Sequence, residues 1–244
     1  MIKKLPNIAV IGLGLIGSSI IHATKLNGAA NRIIGFDAST EVLAEAKKIG
    51  LPVILVDNIG VAVRDADIIF LAVPVGSMAN VVKQITSNLK PGAIITDTGS
   101  TKRSVIKDIT PLISEHISFV PGHPLAGTEF SGPSSGFPNL FKNHYWLLIG
   151  DEKTNPTISV IARFCKNLGA IVEVMDADYH DKVLAITSHL PHLIAFTIVG
   201  TASDLEHDLK NDVIRFSASG FRDFTRIAAS DPTMWRDVFL NNDK

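Results

Sequence analysis

The stretch Asn7-Ile-Ala-Val-Ile-Gly12-Leu-Gly14-Leu-Ile-Gly17 decides the reading of the fold, because an apolar run meets three spaced glycines there. The run has the character of a buried strand, and the glycines that of a turn bare enough to admit a pyrophosphate. Gly12 permits the tight turn, Gly14 lets backbone approach phosphate, and Gly17 lets the next helix pack against the strand. A phosphate would rest on the unpaired N–H groups of that helix's first turn, where Leu15 and Ile16 stand and the dipole favours negative charge. Arg32-Ile-Ile-Gly-Phe-Asp37 reads as the following strand and ends in a carboxylate twenty residues beyond Gly17. Asp37 can bond both ribose hydroxyls of NAD and would repel the 2′-phosphate of NADP, so NAD is the expected cofactor. The competing reading is a glycine-rich turn in another kind of α/β protein, with Asp37 as a helix cap.

Working outward, short β-rich runs alternate with helical stretches up to about residue 176, the pattern of parallel βαβ units. Strands are expected at 7–12, 32–37, 67–73, 93–97, 117–121, 145–149 and 170–175. A helix is expected at 39–49, with Ser39 as its cap and Gly50 as its stop. Asp67-Ile-Ile-Phe-Leu-Ala-Val-Pro74 is apolar almost throughout, as a strand covered on both faces must be. Val73 and Pro74 then fall at the carboxyl edge of the sheet, where ligands of open α/β folds lie, and join the candidate cofactor contacts. The loops at 12–17, 37–39, 74–77, 97–101 and 122–129 should share one cleft. Beyond residue 176 only helices are expected, at 178–200, 203–216, 221–229 and 232–240. The expected organisation is therefore a Rossmann-type doubly wound, mostly parallel sheet over 1–176, followed by a small all-helical part over 177–244.

The 244 residues carry a formal charge of −1, which gives no electrostatic reason to expect nucleic acid or an anionic membrane as partner. The single Cys165 excludes an intrachain disulfide and fits a reducing compartment. No signal-peptide pattern precedes the first strand, and no apolar run of membrane-spanning length is expected, so the expected location is the cytoplasm. Apolar Trp235, Val238, Phe239 and Leu240, close to the end of the chain, suggest burial against a partner subunit or a further segment.

Four clusters are candidates for chemistry. Thr96-Asp-Thr-Gly-Ser100-Thr-Lys102 ends a strand, and Ser100 fits either a bond to a catalytic side chain or cofactor, or a plain helix cap. Pro121-Gly-His123-Pro-Leu-Ala-Gly-Thr-Glu129 boxes a histidine between Gly and Pro, which restricts its backbone. His123 can take a proton from a substrate hydroxyl, or simply bond a nearby carbonyl. On the first long helix, Asp181, Ser188 and His192 fall within about 40° of one another at 100° per residue. Val183, Ile186, Leu190, Leu193 and Ile194 take the opposite face, and Pro191 should bend the helix. A metal on His189 and His192 lacks any further ligand pattern, so no metal is expected. In Gly220-Phe-Arg222-Asp223-Phe-Thr-Arg226, Arg226 fits a carboxylate clamp or an i,i+3 pair with Asp223.

The order GLGLIG, DTGSTK, GHPLAGTEFSG, SHLPH and GFRDFTRIAASDPTMWRDVF resembles the prephenate and arogenate dehydrogenases of tyrosine biosynthesis, from residue 7 to about 240. The resemblance implies NAD-dependent oxidative decarboxylation of prephenate to 4-hydroxyphenylpyruvate, or of arogenate to tyrosine, by a homodimer acting on a small molecule. It implies that His123 is the catalytic histidine and that Ser100 orients it and touches the nicotinamide side. Arg226 would bind a substrate carboxylate, while His192, Glu129, Asp181, Asp223 and Trp235 line or gate the pocket, with Trp235 reaching toward the neighbouring subunit. His192 leans the substrate toward prephenate. Ser217-Ala-Ser219 departs from the glycines of related sequences, and the chain stops soon after the WRDVF helix. Two other readings stay open. One is a β-hydroxyacid-type dehydrogenase, whose lysine is followed four residues on by asparagine, where Lys182 is followed by Ile186. The other is a non-catalytic NAD-binding regulatory subunit.

Overall fold

The computed structural model describes residues 5–205 and 207–243, without the side chains of residues 207, 208, 210, 214, 223 and 224. The opening apolar run forms β1 (Asn7–Ile11), and the glycine turn leads into α1 (Leu15–Leu26). Five more strands follow with helices between them. These are β2 (Arg32–Phe36), α2 (Thr40–Lys48), β3 (Ile54–Leu55), α3 (Ile59–Val63), β4 (Ile68–Leu71), α4 (Val75–Ile85), β5 (Ile94–Asp97), α5 (Arg103–Ile109) and β6 (Ser118–Val120). They build a parallel sheet of order β3-β2-β1-β4-β5-β6. The order reverses at β1, which places a crevice beyond the carboxyl ends of β1 and β4.

Alternate residues explain why these strands are apolar throughout. Ile8 and Val10 of β1 and Ile68 and Phe70 of β4 pack into one core with Ile20 and Ile21 of α1. Ala9, Ile11, Ile69 and Leu71 pack into a second core with Met78 and Val82 of α4. A sheet covered on both faces has no polar side. Ser39 caps α2 as expected, accepting from Val42 N at 3.2 Å.

The strands expected after β6 do not join this sheet. β7 (Gly122–Pro124), β8 (Tyr145–Ile149) and β9 (Ile171–Met175) form a second sheet of order β7-β8-β9, with α6 (Thr157–Asn167) between the last two. β7 runs antiparallel to β8, pairing His123 with Leu147, so the boxed histidine sits in a ladder rather than a loop. Neither this strand nor the two-residue β3 has enough length to show a period in the sequence.

From residue 177 onward the described elements are helical: α7 (Ala177–Leu184), a π-turn (Ala185–His189), α8 (Leu190–Ser203), α9 (His207–Arg215), α10 (Ser219–Arg226) and α11 (Pro232–Asn241). Pro191 was expected to bend the long helix. Lacking an N–H, it stands at the second residue of α8, directly after the wider π-turn. Asp231 caps α11, accepting from Thr233 N and Met234 N.

One expectation needs correction. By length and composition the run Ala177–Ser203 is long and apolar enough to cross a membrane, with mean hydropathy 1.6 over its most apolar window. Its apolar side chains Ile186, Leu190, Leu193 and Ile194 are exposed in this chain. The same run nevertheless carries His180, Asp181 and His189 into buried polar contacts.

Candidate active site

A cavity of about 870 Å³ opens at the carboxyl edge of the large sheet, within the roughly 300–1,000 Å³ of ligand sites. It is lined by Gly14, Leu15 and Ile16 at the glycine turn, by Val73 and Pro74 after β4, by Ser100 after β5, and by His123 of β7. Glu129, Ser188, His192, Arg226 and Trp235 also line it. His123 and Arg226, more than a hundred residues apart in sequence, therefore share one hollow.

The glycine turn fits a dinucleotide. Gly12 holds φ +94°, and a Cβ there would lie 2.3 Å from Ala72 O. A Cβ on Gly17 would lie 1.9 Å from Gly12 O, so α1 rests directly on the turn. At Gly14 a Cβ would meet nothing within 4 Å, and no side chain caps the helix there. This leaves the first N–H groups of α1 open to an anion. Asp37 does not line the cavity itself. Its carboxylate accepts from Leu13 N at 2.8 Å and Ser39 N at 2.9 Å, which fixes it at the end of β2 beside the glycine turn.

Around His123 the packing is dense and polar. Asp97, at the end of β5, accepts from Gly99 N at 2.8 Å and Gly122 N at 3.1 Å and pairs with the Lys102 ammonium. Lys102 is wholly buried and also donates to Gly122 O at 2.7 Å. Burial pulls the Lys102 amine down from its ordinary value, opposed by the charge of Asp97. The His123 imidazole is held well below its ordinary value by burial first, then by the charges of His180, Lys102 and His189. Its Nδ1 lies 2.9 Å from His180 Nε2. Ser100 was expected to orient this ring. It stands on the cavity wall, but the Nδ1 partner of His123 is His180, which came without a role in the sequence reading.

Asp181 also departs from expectation. It does not line the cavity. Its buried carboxylate accepts from Lys102 N at 2.8 Å and Arg103 N at 2.9 Å, capping α5, and meets His180 Nδ1 at 2.7 Å. Burial works to raise its carboxyl, but the His180 bond and the two backbone donors outweigh that and hold it low. The reckoning at 100° per residue fails here because a π-turn, with extra residues per turn, begins at Ala185 and includes Ser188. Ser188, within the π-turn, and His192, beyond it, do reach the cavity.

His192 Nδ1 lies 2.9 Å from Ser188 O and so donates to it. Its ring stacks on Trp235 with centroids 3.6 Å apart and planes at 19°. Trp235 was expected to reach toward a neighbouring subunit. It is buried in its own chain, and its indole N–H has no hydrogen-bond partner among the described residues. His189, behind Trp235, has its imidazole lowered to about 4, chiefly by burial. Arg226 is paired with Glu129 at 3.7 Å, and both line the cavity. The Asp223 side chain lies outside the described residues. No group of three or more metal-ligating side chains occurs among the described residues.

The sheet order, the bare helix terminus and the buried imidazole on one cavity define a protein of the dinucleotide-binding α/β class. Residues 20–174 match the family model of the prephenate dehydrogenase nucleotide-binding domain, and residues 176–244 that of the prephenate dehydrogenase dimerization domain. A cyclohexadienyl dehydrogenase of Zymomonas mobilis is 44% identical over 237 residues, covering 97% of this chain and 80% of that protein. A prephenate dehydrogenase of Bacillus subtilis is 36% identical over 96% of this chain, which spans 64% of that relative's length. The crystal structure of prephenate dehydrogenase from A. aeolicus with hydroxyphenyl propionate and NAD+ superposes with a TM-score of 0.88 at 31% identity, covering 99% of this chain and 84% of that one. The chain belongs to the prephenate dehydrogenase family, as its motifs had implied.

Proposed function

We propose that this chain catalyses the NAD-dependent oxidative decarboxylation of prephenate to 4-hydroxyphenylpyruvate in tyrosine biosynthesis, with arogenate as the alternative substrate. The observation that carries it is the single cavity joining the α1 N-terminus, His123 and Arg226. Relatives named cyclohexadienyl and prephenate dehydrogenase, and a structural neighbour holding NAD+, support the same reading.

In this reading Gly14, Leu15 and Ile16 seat the pyrophosphate, Asp37 takes the ribose hydroxyls, and Val73, Pro74 and Ser100 border the nicotinamide. Bound NAD would supply the hydride acceptor. With Nδ1 engaged by His180, Nε2 is the nitrogen His123 has left for the ring hydroxyl. Held low by burial, the imidazole stays uncharged near neutral pH and is ready to take the hydroxyl proton as the carbonyl forms. Loss of CO2 then makes the ring aromatic, so the protein need place only the reacting carbon and one proton. Arg226 exchanges Glu129 for a substrate carboxylate. The unpartnered Trp235 N–H and the free Nε2 of His192 offer one donor and one acceptor to the rest of the ligand.

Residues 1–176 serve as the nucleotide-binding part and 177–244 as the helical part that completes the pocket and pairs two subunits. The exposed apolar face of Ile186, Leu190, Leu193 and Ile194 is the surface a second copy would cover, giving a cytoplasmic homodimer. The test is a side-by-side assay of both substrates with NAD and NADP, following reduced cofactor and CO2. Equimolar NADH and CO2 from prephenate are expected. Tight NAD binding with no NADH from either substrate would leave the regulatory-subunit reading standing instead.

A further inference from the structure

Behind His123 two buried side chains, neither of which lines the cavity, continue the hydrogen bond at Nδ1 into a chain. His180 is fully buried in α7, with Nε2 2.9 Å from His123 Nδ1 and Nδ1 2.7 Å from Asp181 Oδ1. The Asp181 carboxylate already receives Lys102 N on Oδ1 and Arg103 N on Oδ2. A carboxylate that accepts from two backbone amides has only acceptor capacity left, so His180 Nδ1 carries the proton in its bond to Asp181.

Two proton arrangements satisfy the remaining bond. With His180 uncharged, its Nε2 offers a lone pair, the proton of that bond belongs to His123 Nδ1, and His123 Nε2 is bare. With His180 as an imidazolium, which requires one more proton on the pair, both its nitrogens donate, His123 accepts at Nδ1, and its own proton sits on Nε2. The first arrangement presents a base to the cavity and the second presents a donor. The second also adds a positive charge beside the wholly buried Lys102 ammonium, which bonds the carbonyl of Gly122, the residue before His123. The surroundings favour the first.

We propose that His180 and Asp181 are positioning residues that hold His123 as the Nδ1–H tautomer, leaving Nε2 as the base, and that oppose the charge it gains with the negative charge of Asp181. The proposal rests on His123 being the base of the reading above. The balance is simple. The hydroxyl proton passes to His123 Nε2, the ring becomes an imidazolium, and no bond in His180 or Asp181 breaks. A buried carboxylate acting through an imidazole in this way sets orientation and tautomer without itself being protonated. Asp181 is doubly placed for it, because the same carboxylate fixes the N-terminus of α5 and its backbone oxygen accepts from Asn242 Nδ2 at 2.9 Å.

The first test needs no turnover. Nitrogen-15 imidazole spectra of the full chain with NAD at pH 7.5, with the His123 signals assigned by their loss in His123→Asn, should show Nδ1 protonated and Nε2 bare. The opposite tautomer would overturn the proposal. The second test compares His180→Gln, whose carbonyl oxygen can still accept from His123 Nδ1–H, with His180→Phe, which cannot. His180→Phe should lower kcat by about 10²–10³-fold with KM nearly unchanged, and should shift the acid limb of the pH profile of kcat/KM. That limb reports His123 among Lys102, Asp97, His180, Asp181 and His189, the charged and titratable groups packed around it. His180→Gln should recover at least about tenfold of the loss. Equal losses in the two variants, or a His180→Phe enzyme with the parent kcat and pH profile, would sink the idea. Should His180→Phe not fold, the spectrum of the unaltered protein still decides. A spectrum as expected, from a protein that turns over neither substrate, would refute the enzymatic reading and leave the tautomer assignment intact.

Discussion

Replacing Lys102 by Met removes an ammonium that is wholly buried against an equally buried carboxylate. The Lys102 side chain is fully buried, its partner Asp97 equally so, and Nζ also holds Gly122 O. Breaking a buried pair from one side typically costs about 3–5 kcal/mol, because the surviving charge is stranded. Asp97 keeps two N–H donors, from Gly99 and Gly122, which favours the lower part of that range. The orphaned Gly122 carbonyl adds about 1 kcal/mol. The total is about 4–5 kcal/mol, so for a chain of 244 residues the melting temperature should fall by roughly 8–20 °C, at about 2–4 °C per kcal/mol. Denaturant unfolding at fixed protomer concentration measures it, since any subunit association enters the apparent stability. Adding Asp97→Asn to Lys102→Met neutralises the stranded charge and should recover more than about 1 kcal/mol, as coupled neighbours do. Turnover should fall at temperatures where Lys102→Met remains folded, because Gly122 precedes His123. A single variant within about 1 kcal/mol of the parent, with additive behaviour in the double variant, would show that this pair does not hold the site together.

Further expectations concern the cavity and its buried imidazoles. His123→Asn should lower kcat by about 10²–10⁴-fold while NAD affinity, read by fluorescence titration, stays unchanged. Arg226→Ala should raise KM by roughly 10–100-fold with little change in kcat, the worth of a charged hydrogen bond to a carboxylate; an unaltered KM in steady-state assays would remove the clamp. Gly14→Val should leave thermal stability near the parent's and weaken NAD, since its Cβ meets no protein atom, whereas Gly17→Ala should lose at least about 1–3 kcal/mol through overlap with Gly12 O. Comparing the two by calorimetry and cofactor titration separates phosphate access from helix packing. Acid should destabilise the fold before any carboxylate titrates. His189 lies near 4 when folded against an ordinary 6.5, so its contribution is present above pH 6.5 and is lost as pH falls toward about 4, with His123 acting in the same sense. Urea midpoints that stay level between pH 7.5 and 5 would contradict this.

What was legible in the sequence was local. The glycine turn, Asp37 after the second strand, the Ser39 cap and the boxed His123 each announce themselves within a few residues, because backbone geometry there depends on near neighbours. His123 and Arg226 could be placed in one hollow only through resemblance, and the structure puts them there. What stayed hidden depends on distance along the chain. His180 meets His123 across 57 positions, and Asp181 caps a helix 79 positions away. Lys102 was given no role, although a buried lysine needs a buried carboxylate, and Asp97 five residues earlier was the available signal. Asp181 was misplaced because a uniform helical period was carried across a π-turn, which no local composition marks except Pro191 just beyond it.

The junction of β7 with α7 bears on how such a chain can be divided or inherited. The imidazole that would meet substrate is supplied before residue 176, and the two groups that set its proton come after it. Severed there, one part would hold an unsupported ring and the other a support with nothing to hold. Any exchange of the helical portion between related genes must therefore carry a matching pair of neighbours at 180 and 181, or chemistry would be lost even where cofactor binding survived.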